Sequence, residues 1–126
     1  MNYMLLIYTP ETVEAELAAD PATLDAYMAE YNTFTRETRE RGAFVAGEAL
    51  HDTRSATTVR VRNGKLSATD GPFAETKEQL AGYCLLEARD LNEAIQLASK
   101  LPPARYGGVE VRPVREMEET LVQAAS

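Results

Sequence analysis

The sequence predicts an α+β fold, an antiparallel sheet with helices on one face. Three observations carry this. Short apolar runs of strand character alternate with two longer stretches of helical period. Each helical stretch opens on an aspartate suited to cap it, Asp20 before Pro21 and Asp90 before Leu91-Asn92-Glu93. Between them, Asn63-Gly64 joins two alternating segments, the strongest short hairpin signal.

In chain order, residues 3–8 are a continuous apolar run suited to a central strand. Thr9-Pro10-Glu11 can start a turn or short helix to about residue 18, because proline is tolerated at a first helical position. From Asp20-Pro21, Leu24, Tyr27, Met28, Tyr31, Phe34 and Thr38 recur every three or four residues and form one stripe of a helix. Tyr27 and Tyr31 on that stripe read as core packing. Arg36, Arg39 and Arg41 lie where cations favour the helix dipole, and Gly42 ends the helix. Residues 43–50 form a second strand and 51–55 a loop.

Thr57–Arg62 and Lys65–Asp70 then pair as Arg62–Lys65, Val61–Leu66, Arg60–Ser67, Val59–Ala68, Thr58–Thr69 and Thr57–Asp70. Period two places Val59, Val61, Leu66 and Ala68 on one face and Arg60, Arg62, Lys65 and Ser67 on the other. Asp70 shares the apolar face and is expected on the buried side, where a carboxylate needs donors or a cation. Residues 80–88 form a further strand. Asp90 and Glu93 make a capping box for a helix with Leu91, Ala94, Ile95, Ala98 and Leu101 on one side, ended by Pro102-Pro103. Residues 109–114 form a last strand, with Pro113 at an edge or strand end. The domain is expected over residues 1–115, with 116–126 a polar, weakly helical tail.

This order is the βαββαβ skeleton of the ferredoxin-like fold, with an extra β-hairpin in its middle. Two helices cover one face of such a sheet. The other face keeps apolar surface, so a homodimer packed sheet to sheet is expected.

Composition narrows the function classes. A chain of 126 residues fits one domain with its own core. A net charge of −7 argues against nucleic acid and anionic membrane as partners. No apolar run reaches membrane-spanning length, and the first residues read as a strand and not a signal peptide. Cys84 is the only cysteine, which excludes an intrachain disulfide and suits a cytoplasmic setting. Its apolar neighbours favour a buried, inert thiol over a nucleophile. There is no phosphate loop, dinucleotide fingerprint, Ser-His-Asp signature or paired His or Cys metal spacing, so no cofactor and no metal are expected.

Most polar chemistry gathers at Asp70-Gly71-Pro72-Phe73-Ala74-Glu75-Thr76-Lys77-Glu78. Asp70 can bind the N–H groups of its own turn. Its catalytic reading is as a general base, or as the group that orients His51, the only histidine, which requires contact within about 3 Å or through one water. Glu75 and Lys77 read as a solvated ion pair or as ligand contacts on a lid, with Phe73 anchored in the core. Tyr83 is expected in the core, its hydroxyl seeking one partner. Arg60, Arg62 and Arg112 serve either salt bridges to Glu48, Glu87 and Glu110 or a carboxylate or phosphate ligand.

The nine residues from Asp70 to Glu78, followed by Ala81-Gly82-Tyr83, resemble the YCII-related family, specifically its DGPF branch. The resemblance extends to Met4–Tyr8, Ala46–Leu50, Ala88–Ala94 and Val109–Val114. Ala81 and Cys84 depart from it, standing where glycine and an aromatic are expected. It implies a dimeric α+β barrel of ferredoxin-like subunits. Some relatives in the broader family carry a histidine–aspartate pair in a cleft. Branch members are often considered alongside extracytoplasmic-function sigma factors, although no stretch of this sequence points to such a partner. Two classes follow. One is a small-molecule-binding dimer doing acid–base chemistry with Asp70 and His51, with Arg60 or Lys77 holding an anionic group. The other is a non-catalytic dimeric regulatory or interaction module.

Overall fold

The computed structural model describes residues 1–116. Its elements are β1 (Asn2–Pro10), α1 (Glu11–Ala19), α2 (Pro21–Glu40), β2 (Phe44–Ala49), a 3-10 turn (Thr53–Ser55), β3 (Thr57–Arg62), β4 (Lys65–Asp70), β5 (Glu78–Glu87), α3 (Leu91–Ala98), α4 (Pro103–Tyr106) and β6 (Gly108–Pro113). Four strands form one sheet in the order β2-β5-β1-β6, every pairing antiparallel. With the hairpin set aside, that is the ferredoxin-like order. β3 and β4 form a separate two-stranded sheet.

The caps form as expected. The Asp20 carboxylate accepts from the Ala22 N–H at 3.2 Å and the Thr23 hydroxyl at 2.7 Å. These bonds, the Thr23 one foremost, hold its carboxyl below the ordinary range. Asp90 accepts from the Glu93 N–H at 2.9 Å, while Glu93 reaches back to accept from the N–H of Arg89 at 3.0 Å, one residue beyond the N-cap N–H of the usual box.

Alternation decides the core. Along β1, Tyr3, Leu5 and Ile7 are buried beneath the helices, while Met4, Leu6 and Tyr8 lie half-buried on the opposite, open face. On β5, Gly82, Cys84 and Leu86 face the helices and Ala81, Tyr83 and Leu85 the open side. Leu5, Leu86 and Leu101 are fully buried, joined by Phe34 of α2 and Ala94 and Leu97 of α3. Register shifts at Ile7/Tyr8 and Phe44/Ala46 add curvature. Burial pushes the Cys84 thiol up to about 11, so this side chain is the inert core thiol its neighbours suggested.

Several expectations change. Met28 is exposed, because the buried stripe of α2 runs through Tyr31, Phe34 and Thr38 and turns Met28 outward. Helix α3 ends at Ala98, and Pro103 opens the short helix α4. The hairpin register matches all six expected pairs, with Asn63 and Gly64 at positive φ as the tight turn requires. Its apolar face, however, is not covered: Val59 is 59%, Val61 57% and Leu66 73% exposed. Asp70 is therefore exposed and not on a buried side. The tail expected over 116–126 falls, apart from Glu116, outside the described residues.

Candidate functional site

The site residues gather around one end of the four-stranded sheet. There β1 ends at Pro10 opposite Glu78, the start of β5, and β2 ends with the Leu50 N–H bound to the Ala81 carbonyl at 2.8 Å. His51 follows directly and is exposed. Asp52 caps the next turn through the Arg54 N–H at 3.0 Å and pairs with the Arg54 guanidinium at 2.8 Å. The bond from Arg54 holds the Asp52 carboxyl below its ordinary range.

The 70–78 loop returns the chain from the hairpin to this end. Its first turn is tied down by backbone: the Gly71 N–H donates to the Ala56 carbonyl and the Thr58 hydroxyl to the Gly71 carbonyl, both at 2.8 Å. Gly71 has a φ of +105°, open to glycine and strained for other residues. Farther on, the Gln79 amide donates to Glu11 of α1 at 2.6 Å, and the Thr76 hydroxyl bonds the Glu78 carbonyl. Between these anchors Phe73, Glu75 and Lys77 are exposed.

Asp70 and His51 are both exposed, and among the described residues no hydrogen bond joins them. Phe73 does not anchor a lid in the core: it is 76% exposed, with the Arg60 guanidinium 5.0 Å above its ring. Glu75 and Lys77 form no ion pair among the described residues. Of the strand arginines, Arg112 pairs with Glu110, whereas Arg60 and Arg62 have no carboxylate partner among the described residues. Tyr83 is half-buried on the open face and not in the core. It pairs with Leu6 of β1 and Glu48 of β2, two β1 positions from the Tyr8–Leu80 pair across the register shift.

Tyr8 is the residue that sequence reading passed over. The alternation of β1 places it on the same face as Leu6, whose cross-strand partner is Tyr83. The open face therefore carries Met4, Leu6, Ala46 and Leu85 as an apolar strip, two tyrosines near the loop end, Glu48 on the β2 edge and the paired Glu110 and Arg112 on the β6 edge. Such a surface can hold a small ring or chain by its apolar body and address its polar end from the loop. Among the described residues, no three His, Cys, Asp or Glu side chains gather as a metal site. No helix of the described chain is long and apolar enough to cross a membrane.

Comparison with known proteins places the chain. A solved structure, the 5-chloro-2-hydroxyhydroquinone dehydrochlorinase TftG of Burkholderia phenoliruptrix AC1100 in complex with 2,5-dihydroxybenzoquinone, is similar with a TM-score of 0.47 and 12% identity, over 93% of this chain and 96% of that one. An uncharacterized protein of Rhizobium meliloti (strain 1021) is 34% identical over 116 residues, covering 90% of this chain and 92% of its own length. The model of the YCII-related domain matches residues 1–118, and the chain belongs to that family.

Proposed function

We propose that this chain is a small-molecule-binding homodimer of the DGPF branch, working in the cytoplasm, whose site lies on the open sheet face beside the 70–78 loop. The observation that carries the reading is the open face itself. Met4, Leu6, Ala46, Tyr83 and Leu85 have no helix over them, and the half-buried Tyr8 and Tyr83 stand where the motif loop arrives. An apolar face of this extent calls for cover, and a second copy supplies it sheet to sheet. The space between two such faces would be enclosed and apolar with a few polar groups, as ligand sites are.

The ligand class is a small polar or anionic metabolite. Arg60 and Lys77 are cations of the right kind with no carboxylate partner among the described residues, and Phe73, with Arg60 over one face of its ring, offers the other face to a planar group. In the catalytic version, Asp70 takes a proton from the ligand and His51 returns it, which requires the two to meet within about 3 Å or across one water once ligand and partner are in place. Their exposure and lack of mutual contact favour a second version, in which the dimer binds its ligand and performs no chemistry, as a regulatory module would.

The test is a pH titration of the His51 imidazole by NMR in wild type and Asp70→Asn, alone and with small mono- and dicarboxylates. A pKa above about 6.5 that falls in the variant supports the acid–base pair. Carboxylate-dependent thermal stabilisation with an unmoved histidine supports binding alone. No stabilisation by any of the carboxylates would count against the anionic-ligand reading.

A further inference from the structure

Residues 57–70 are the least covered part of the described chain. Every residue there is exposed except Thr58, which is half-buried. β3 and β4 pair only with each other. A two-stranded hairpin with both faces wet is marginally stable in water and normally needs a third layer. This one carries a ready-made apolar face, Val59, Val61, Leu66 and Ala68, and among the described residues nothing packs on it. Leu66 and Phe73, just beyond its end, are the two most exposed large apolar side chains among the described residues.

Net charge indicates which partner the hairpin is drawn to. Arg60, Arg62 and Lys65 against the single carboxylate of Asp70 give residues 57–70 a net +2, in a chain whose total is −7, so the rest carries −9. The segment is a basic arm on an acidic body, and the acidic body that is always present is another copy of the same chain. We infer that the β3–β4 hairpin is a dimer arm: its Val59, Val61, Leu66 and Ala68 face lies on the second copy, while Arg60, Arg62 and Lys65 on the opposite face give the arm the positive charge that draws it to that acidic body. The inference rests on the homodimer proposed above and names the element that clasps it. The hairpin then owes its order to the partner, and each site is closed in part by an element of the other subunit.

The test combines sedimentation velocity with hydrogen exchange across a concentration series. For wild type the expected result is a dimer, with amides of residues 57–70 slowing in exchange as concentration rises through the dissociation constant. Val61→Asp with Leu66→Asp should weaken the dimer at least tenfold while leaving the far-UV spectrum unchanged. Arg62→Glu should weaken it less, and added salt should reduce that difference. A wild-type dimer whose 57–70 exchange is independent of concentration, or whose affinity is untouched by the two aspartates, would overturn the arm and leave the dimer standing. A wild type that is monomeric at 100 micromolar would remove the dimer and the arm together. Protection of 57–70 that appears only with phosphatidylserine vesicles would also overturn the arm. The exchange series uses the unaltered protein, so it decides even if the double variant fails to fold.

Discussion

β5 and the β3–β4 hairpin both alternate their side chains between two faces and meet opposite fates. Leu86 of β5 has no exposed surface, whereas Leu66 of β4 is 73% exposed. The difference lies in what surrounds each strand. β5 is hydrogen-bonded to β1 on one edge and β2 on the other, and its inward face meets Phe34 and the residues of α3. Among the described residues, each hairpin strand has one neighbour and no layer above or below. Alternation settles which side chains share a face, and tertiary packing settles whether that face is dry.

Truncation at the two positions gives the largest contrast. Leu86→Ala should destabilise the chain by about 2–5 kcal/mol, because the lost contacts leave a cavity in a packed core. Leu66→Ala should change the stability of the dilute monomer by less than about 0.5 kcal/mol, as surface changes do. Urea unfolding of both variants at low protein concentration checks this. A cost for Leu66→Ala comparable to that of Leu86→Ala, independent of concentration, would mean that the hairpin is covered by its own chain and would erase the contrast.

A change at the turn separates the two regions next. Gly64 sits at a φ of +74° with open space where a Cβ would point, so Gly64→Ala adds backbone strain alone. That strain is about 1–2 kcal/mol. It should raise hydrogen exchange in residues 57–70 by roughly 5- to 30-fold at concentrations where the second copy orders them, while the exchange of β1 and β5 stays as it was. Equal acceleration throughout would make arm and body one cooperative unit.

How much of this was legible follows the same division. The hairpin's six pairs, both aspartate caps and the buried alternation of β1 and β5 rest on local rules, turn chemistry, capping and period, and each could be read from neighbouring residues. The exposure of Val59, Leu66 and Asp70 could not, because it depends on there being no layer above the hairpin. Phe73 misled for a related reason. An aromatic in a motif loop suggests an anchor, yet its neighbour is the Arg60 guanidinium and not the core. His51 and Asp70 were correctly assigned to loop and strand end, but pairing two ends requires coordinates and, on the reading proposed here, a second subunit. Tyr8 was readable from β1 alternation alone and was passed over because the whole run looked apolar.

Within the body, smaller effects test whether its parts hold together locally. Asp90→Ala removes the acceptor of the Glu93 N–H and should cost about 1 kcal/mol, with Asp90→Asn or Asp90→Ser recovering most of it. Because α3 supplies Ala94, Leu97 and Ala98 to the core, the loss should appear in global unfolding. A loss confined to fraying of α3, with the urea midpoint unchanged, would show that α3 docks independently of the sheet.

The last effect is a pH dependence that rests on one side chain of β5. Burial raises the Cys84 thiol from 9.0 to about 11 in the folded chain. A group whose folded pKa lies above its unfolded one contributes stability that is complete below the unfolded value. That contribution is lost as pH rises through the folded one, because the unfolded chain gives up its proton first. Wild type should therefore lose stability between about pH 9 and 11 relative to Cys84→Ala. Burial raises the Tyr27 and Tyr31 hydroxyls as well, so both proteins should decline in the same direction and the difference between them isolates the thiol. Urea midpoints at three pH values in this window measure it. Reaction of Cys84 with a thiol reagent at pH 8, slow in the folded chain and fast in urea, gives an independent reading of the same burial. Parallel decline of the two proteins together with rapid labelling of the folded chain would mean that β5 opens locally, and that strand and hairpin differ less in cover than their side chains indicate.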